Sequence, residues 1–557
     1  RYGVLAYHSV VDESAAENQK HYFPQTISAQ TLIKHFNWLK ENGYNVISWQ
    51  QVIDAENGKG TLPDNAVLLS FDDGYETMYN VVFPLLKAYN YPAVFAPVTG
   101  WLDTPANQKI AYADKMLDRS VFATWSQVKE MEQSGLVEVA SHTHNLHNGI
   151  NANPSGGQLP SVIAPEYKNG KYETEDAYKN RLKSDFTRSV QTLVNHIGKK
   201  PRVMVWPYGQ FNDVAVQLTR QAGMPHYFSL GEKIINKVGD KHIGRLLLNA
   251  ETDLNTVKNY LDGIDESKQI QRVLHVDLDY VYDADKAQQA KNLDKLIDRI
   301  YRYGVTTVYL QAFSDPDGDG VADALYFPNK YLPVRDDIFG RIAWQLQTRA
   351  GVQVYAWMPV LAFDLRKSVK EAEYVIDSRT GKPSTKAYLR LSPYNKQNVE
   401  IIKSIYNDLS FYAKFNGILF HDDAFLTDFE GAEGTHAEGM VSPQAKQKTQ
   451  DLIQLTHQLT DALKPYFLRG SYSLKTARNL YASVITNPNA EEWLAQNLKT
   501  LTDNYDTTAI MAMPYMENEQ PISQKEAYQW FASLIENVKA QASLDKVLFE
   551  FQAVNWR

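Results

Sequence analysis

The chain of 557 residues contains no cysteine, which excludes both a disulfide framework and thiolate ligation of a metal and leaves the redox compartment open. It has no run of about 20 apolar residues, so no stretch of sequence reads as a membrane span. A basic excess is also missing: 57 Lys and Arg against 65 Asp and Glu give a net charge of −8, with a pI near 5.9. That balance argues against nucleic acid as a partner and suits neutral or cationic ones, a polyamine-like polymer among them. Short internal repeats and low-complexity tracts are absent too. Aromatic residues, by contrast, are plentiful: 34 Tyr, 22 Phe and 10 Trp can fill cores and also supply stacking faces for sugar rings.

The length exceeds what one hydrophobic core supports, so two domains of roughly 200 to 300 residues are expected. Strand-like and helix-like segments alternate from residue 2 to residue 248, which predicts an α/β domain with a largely parallel sheet or barrel. Residues 148–175 are polar and read as a long surface insertion, and the charged stretch DGIDESKQIQ at 262–271 reads as a boundary. The expected division is therefore 1–262, a linker at 263–271, and 272–557. Beyond the linker, strands are predicted at 273–277, 306–311, 352–358, 417–421, 468–472, 508–513 and 547–552, with helix-length segments between them. Such a series suits a (β/α)8-like barrel.

The stretch at 68–75, LLSFDDGY, is an apolar run that stops at two adjacent aspartates and a glycine. Asp-Asp-Gly is ordinary turn chemistry. At a strand end, however, two carboxylates can divide labour, one binding a cation and the other moving protons. Residues 139–147, VASHTHNLH, place three of the chain's 13 histidines within six residues. His142 and His147 together with one aspartate of Asp72 and Asp73 would give two imidazoles and a carboxylate and leave a fourth position for water, the arrangement of a catalytic rather than a structural site. The competing reading is a solvated loop that happens to hold histidines.

These residues resemble the polysaccharide deacetylases of carbohydrate esterase family 4. Ser70-Phe71-Asp72-Asp73-Gly74 matches the first motif of that family and His142 to His147 the second. The resemblance implies Asp72 as general base, with Asp73, His142 and His147 as ligands of one divalent metal ion. Zinc is expected from the ligand types, although nickel or cobalt would accept the same set. Pro207-Tyr208-Gly209 matches the end of the third motif, which implies that the Tyr208 N–H binds the oxyanion; Trp206 is a further substrate-binding candidate. Where the family carries an arginine to orient the base, this chain has Val205. A Leu-x-His that would supply the general acid is not evident near the end of the domain, since Asp240 and Lys241 precede His242. Leu5-Ala6-Tyr7-His8 offers a histidine at a strand end instead. The order resembles the circularly permuted, two-domain branch found in the periplasm of biofilm-forming Gram-negative bacteria. Poly-β-1,6-N-acetylglucosamine and its partially deacetylated form are then the implied polymers, with an outer-membrane export porin as a possible partner. The chain begins at Arg1 directly before an apolar strand, as a processed or trimmed chain would, and a lipid anchor ahead of it is expected.

A second strand ends in GILFHDDAFL at 417–426, and barrels of this type carry their sites at the C-terminal ends of strands. Asp422 and Asp423, with Glu517 and Asp279 as partners, are the catalytic candidates; Asp279, Trp357 and Tyr515 are candidates for substrate binding. The resemblance implies a barrel that binds the partially deacetylated polymer and hydrolyses it, while pure binding is the competing reading. The acidic loop 315–320 begins like an EF-hand, but Tyr326 stands where a bidentate Glu is needed. Two alternatives to the overall reading are a deacetylase of chitin oligosaccharides or peptidoglycan and a polysaccharide-binding export factor without hydrolase activity.

Overall fold

The computed structural model describes residues 1–13, 23–231, 235–265, 269–384, 388–431, 441–470 and 473–553. Residues 266–268 of the expected linker lie outside these. Two units emerge, Arg1–Gln269 with Leu468–Ser473, and Ile270–Phe467 with Leu474–Arg557.

In the first unit, strand Tyr2–Tyr7 pairs in parallel with Ala66–Asp73, which pairs with Ala93–Pro97, which pairs with Val137–Val139. A bridge from Ser141 to Met204 leads on to Val203–Val205, then to His226–Phe228 and His242–Ile243. Only Gly244 and Arg245 separate that last strand from Leu246–Leu247, which pairs back to Leu5 and Ala6. Seven parallel positions thus close into a ring, the last of them this broken pair. Alternation along each strand sorts the side chains. Tyr2, Val4, Ala66, Leu68, Val205 and Ile243 fill the interior, whereas Leu5, Tyr7, Val67, Leu69 and Phe71 pack outward. Helix Ala29–Glu41 begins at Ser28, whose hydroxyl accepts from Thr31 N, and helix Trp125–Gln133 begins at a capping box of Thr124 and Gln127. Each such cap contributes about 1 kcal/mol to fixing where a helix starts.

In the second unit, seven parallel strands follow chain order: Val273–Val276, Thr307–Gln311, Gln353–Met358, Gly417–Phe420, Lys475–Tyr481, Thr507–Met511 and Val547–Glu550. Tyr309, Tyr355, Leu419, Ala477 and Ala509 pack together with Val273, Trp357 and Leu548, so residues from all seven strands meet on one concave face. The sheet is a curled, barrel-type sheet. Among the described residues it has seven strands rather than eight, and no ladder joins its first and last. His275 Nε2 and Glu550 Oε1, one from each of those two strands, lie 2.9 Å apart. The interior is tight: a Cβ on Gly417 would meet Lys475 O at 2.7 Å.

The strand expected at 468–472 is misplaced. Leu468–Ser473 groups with the first unit, Tyr472 lies outside the described residues, and the strand is Lys475–Tyr481. Its Arg478 is fully buried and donates to Tyr505 Oη at 3.0 Å and to Ala424 O at 2.8 Å. A guanidinium whose two terminal nitrogens are paired can occupy a central strand that an apolar pattern would never reveal.

Candidate active sites

At the end of strand Ala66–Asp73 the backbone leaves the pleat, with Asp73 at φ 75° and Gly74 at φ 97°. Asp72 keeps the inward direction of Leu68 and Ser70, and the break at Asp73 redirects the next carboxylate. Asp73 Oδ1 lies 3.1 Å from His142 Nε2 and 3.2 Å from His147 Nε2. These separations match the edge of a tetrahedron of ligands at bond lengths of about 2.0–2.1 Å. His142 Nδ1 donates to Val205 O at 2.7 Å, so a neutral His142 turns its Nε2 lone pair toward Asp73. Against its burial, Asp73 and Asp72 push the His142 ring up toward its protonated form, so the space between Nε2 and Asp73 favours a proton or, in its place, a metal cation. The donor set therefore fits a metal ion. Burial opposes the charge on Asp73, yet the neighbouring histidines hold its carboxyl well below the usual range.

The histidine loop is held from two sides. Thr99 N and Gly100 N donate to the carbonyls of Thr143 and His144, and Asp185 accepts from His144 N at 2.8 Å and Asn145 N at 2.7 Å. Gly100 is required by this approach, because a Cβ there would lie 2.4 Å from the carbonyl oxygen of His144. The ring of His144 turns away from the other two histidines to Thr99 Oγ1, at 2.9 Å.

Asp72 is fixed by a residue that the motifs did not point to. Arg245 donates from both terminal nitrogens, to Oδ1 at 2.8 Å and Oδ2 at 2.9 Å, and is itself tied to Ser229 O and Ser70 Oγ. Burial pushes the Asp72 carboxyl up, and Arg245, followed by His142 and His8, more than offsets this, so that it titrates below its ordinary value. His8, at the end of strand Tyr2–Tyr7, follows the inward alternation. Its buried Nδ1 has no hydrogen-bond partner; burial pushes the ring's pKa down, while Asp73 and Asp72 oppose that. Tyr208 has φ 58°, is 44% exposed, and its ring lies 4.6 Å from that of His147. Trp206 does not face a polymer: it is fully buried against Phe186, Phe211 and Tyr227.

In the second unit, Asp422 and Asp423 follow strand Gly417–Phe420 but differ in their surroundings. Asp423 is fully buried and accepts from Val360, Leu361 and Ala362 N, the last two at 2.7 Å. Those bonds make it a clamp for the neighbouring loop. Asp422 instead meets His421 Nε2 at 3.0 Å and Tyr388 Oη at 3.0 Å. Trp357 Nε1 donates to His421 Nδ1 at 2.8 Å, which holds the imidazole proton on Nε2, facing Asp422. Burial lowers the affinity of His421 for a second proton, but Asp422 and Asp423 push its pKa up to about 9, against the indole donor. Asp279 is engaged by Ser314 Oγ, Asp315 N, Tyr326 Oη and Arg335 and so ties the rim together. Tyr515 is 45% exposed, and burial raises Glu517 to about 7.

Comparison with known proteins supplies the family. Residues 59–227 match the polysaccharide deacetylase model, and residues 275–557 match hypothetical glycosyl hydrolase family 13. A poly-β-1,6-N-acetyl-D-glucosamine N-deacetylase of Escherichia coli (strain K12) is 39% identical over 99% of this chain and 84% of its own length. The chain belongs to that family. A de-N-acetylase from Aggregatibacter actinomycetemcomitans is 69% identical, covering 46% of this chain and 99% of that one, with a TM-score of 0.45. A glycoside hydrolase domain from Bordetella bronchiseptica is 39% identical, covering 52% of this chain and 86% of that one, with a TM-score of 0.46. This family member is accordingly a polysaccharide deacetylase with a glycoside-hydrolase-like domain. His8 and Arg245 both fall outside the segment matched by the deacetylase model, His8 just after strand Tyr2–Tyr7 and Arg245 just before Leu246–Leu247, which pairs with that strand. Arg245 and Tyr388 were missed by the sequence reading. Only the unfilled arginine position at Val205 signalled that something must hold Asp72, and nothing signalled Tyr388.

Proposed function

We propose that this enzyme removes acetyl groups from poly-β-1,6-N-acetyl-D-glucosamine in its first domain, residues 1–262, and cleaves the partially deacetylated chain in its second, residues 272–557. The observation that carries the first half is the convergence of Asp73, His142 and His147 beside an Asp72 locked by Arg245. Zinc suits two imidazoles and a carboxylate, with nickel and cobalt as substitutes. When bound, such an ion acidifies water and polarises the acetyl oxygen. Asp72, ionised and oriented by Arg245, takes the proton of the attacking water. The Tyr208 N–H donates to the developing oxyanion. His8 protonates the departing amine, and its unpartnered nitrogen supports that role. The products are acetate and a free amine.

Asp422 is the preferred carboxylate in the second domain, since Asp423 is committed to three amides. Glu517, raised to about 7, is suited to donate a proton to the leaving oxygen. The name of the E. coli relative supports the choice of polymer. The reading also places the enzyme in the periplasm, lipid-anchored and next to an outer-membrane export porin; the resemblance of its two-domain order supports this. No helix among the described residues is long and apolar enough to cross a membrane. The test is amine release from the polymer by metal-stripped enzyme before and after adding zinc. Release that ignores chelation, or equal turnover on chitin oligomers, would overturn this reading.

A further inference from the structure

Asp73 turns only one oxygen toward the histidines. Its Oδ2 accepts from Tyr75 Oη at 2.9 Å and from Tyr112 Oη at 2.9 Å, and the two hydroxyls lie 2.5 Å apart. Each phenol has one proton, so two protons serve three short contacts, and the cluster is complete only while both phenols are present. The tyrosines arrive from different elements. Tyr75 follows the Asp-Asp-Gly turn, stacked on Phe23 at 5.2 Å and on Phe122 at 5.7 Å. Tyr112 ends the hairpin strand Lys109–Tyr112, and its ring also lies 6.2 Å from His147, nearly parallel to it at 19°. One side chain thus touches the carboxylate and packs on one of the imidazoles of the candidate ligand set.

We propose that Tyr75 and Tyr112 are positioning residues that confine Asp73 to ligation through Oδ1, and so set the affinity of the ion and the number of its positions left for water and the acetyl oxygen. This rests on the reading of Asp73 as a metal ligand. For Oδ2 to become a second ligand atom, it must give up two O–H donors in a buried, aromatic-walled pocket. Without them the carboxylate can turn about its Cβ–Cγ bond and chelate, filling a position that the reaction needs. Outer partners of metal ligands act in this way generally, and their loss typically lowers metal affinity roughly 10- to 100-fold.

The test compares metal-stripped wild type with Y75F, Y112F, the double variant and D73N. Zinc affinity is read by competition with a chromophoric chelator, and the visible spectrum of the cobalt-substituted forms reports coordination number. Each single tyrosine variant is expected to bind zinc roughly 10- to 100-fold more weakly, the double variant more weakly still, with cobalt absorption that falls as coordination number rises. Zinc affinities within twofold of wild type and unchanged cobalt spectra overturn the proposal. A packing control, F122L, retains both hydroxyls and should bind zinc as wild type does; an equal loss there assigns the effect to aromatic packing and also overturns it. Should Y112F fail to fold, Y75F decides, since its ring keeps both stacking contacts. D73N separates the two levels of the argument: if it binds zinc as wild type does, the metal-site reading itself is wrong.

Discussion

Replacing Arg245 with methionine keeps an apolar stem and deletes the guanidinium that holds Asp72. Burial is the largest influence on that carboxyl and raises its pKa; Arg245 is the largest opposing one. In the wild type the net shift is downward. Ionised Asp72 therefore stabilises the fold above the unfolded pKa near 3.9, and that contribution is lost as the pH falls through the lower folded value. In R245M only His142 and His8 remain against burial, the largest influence, so the folded pKa rises; where it passes the unfolded value the sign reverses, and stability falls as pH rises above about 4. Breaking one side of a buried pair costs about 3–5 kcal/mol. For a domain of this size that is about 2–4 °C of melting temperature per kcal/mol. The assay is the melting temperature of the first unit between pH 4 and pH 8, with the pH profile of kcat/KM for amine release alongside. The acidic limb of that profile should move to higher pH, because Asp72 must be ionised to accept a proton. R245K, which keeps the charge and loses the two-pronged geometry, should fall between R245M and wild type. An R245M variant that melts within about 1 °C of wild type at pH 7 with an unmoved acidic limb would refute the argument.

D423N should lower the denaturant midpoint of the second unit by the equivalent of roughly 1.5–3 kcal/mol, since three amides lose a charged acceptor; D422N should abolish shortening of partially deacetylated polymer while leaving the amides of 360–362 protected from exchange. Burial lowers Lys414 to about 7, so the unfolded state binds more protons than the native one between that pH and about 10.4. The second unit should therefore gain stability as pH rises from 7 to 9 in urea titrations, and K414M should flatten that slope. If Glu517 is the proton donor, chain cleavage measured as new reducing ends should decline as pH rises through about 7, and E517Q should be inactive throughout.

Legibility in the sequence followed the range of the physics. Asp73, His142 and His147 could be read because a strand end and a short loop bring them together with little help from the rest of the chain. Arg245 could not, because its partner lies 173 residues away and the two meet only when the ring closes at the break after Ile243. Hydrophobic alternation found most strands of both units, but it failed at Lys475–Tyr481, where Arg478 is buried and both its terminal nitrogens donate, to Tyr505 Oη and Ala424 O. Trp206 illustrates the opposite error. An indole next to a motif suggests a sugar platform, whereas here it fills the packing behind Phe211 and Tyr227.

The chain contains Asp-Asp at two strand ends, and in the sequence the pairs are equivalent. One dihedral separates them. At Asp73 a φ of 75° forces the carboxylate out of the alternation of its strand, so that both aspartates reach the same cavity and can take different tasks there. Left-handed backbone at a non-glycine residue costs of order 1–3 kcal/mol and persists only where the surroundings impose it; here Tyr75, Tyr112 and the two histidines hold Asp73 in place. Neither Asp422 nor Asp423 has a positive φ. The second carboxylate turns into the amides of 360–362, and only Asp422 is left with His421 and Tyr388. It follows that a substitution easing the strain at the first site, D73G, should leave strand Ala66–Asp73 and the Asp72–Arg245 pair intact while removing zinc binding. The same change at 423 should unfold the loop of residues 360–362 without touching Asp422. Hydrogen exchange at the amides of 360–362 reads the second effect, and exchange no faster in D423G than in wild type would show that Asp423 is not their anchor.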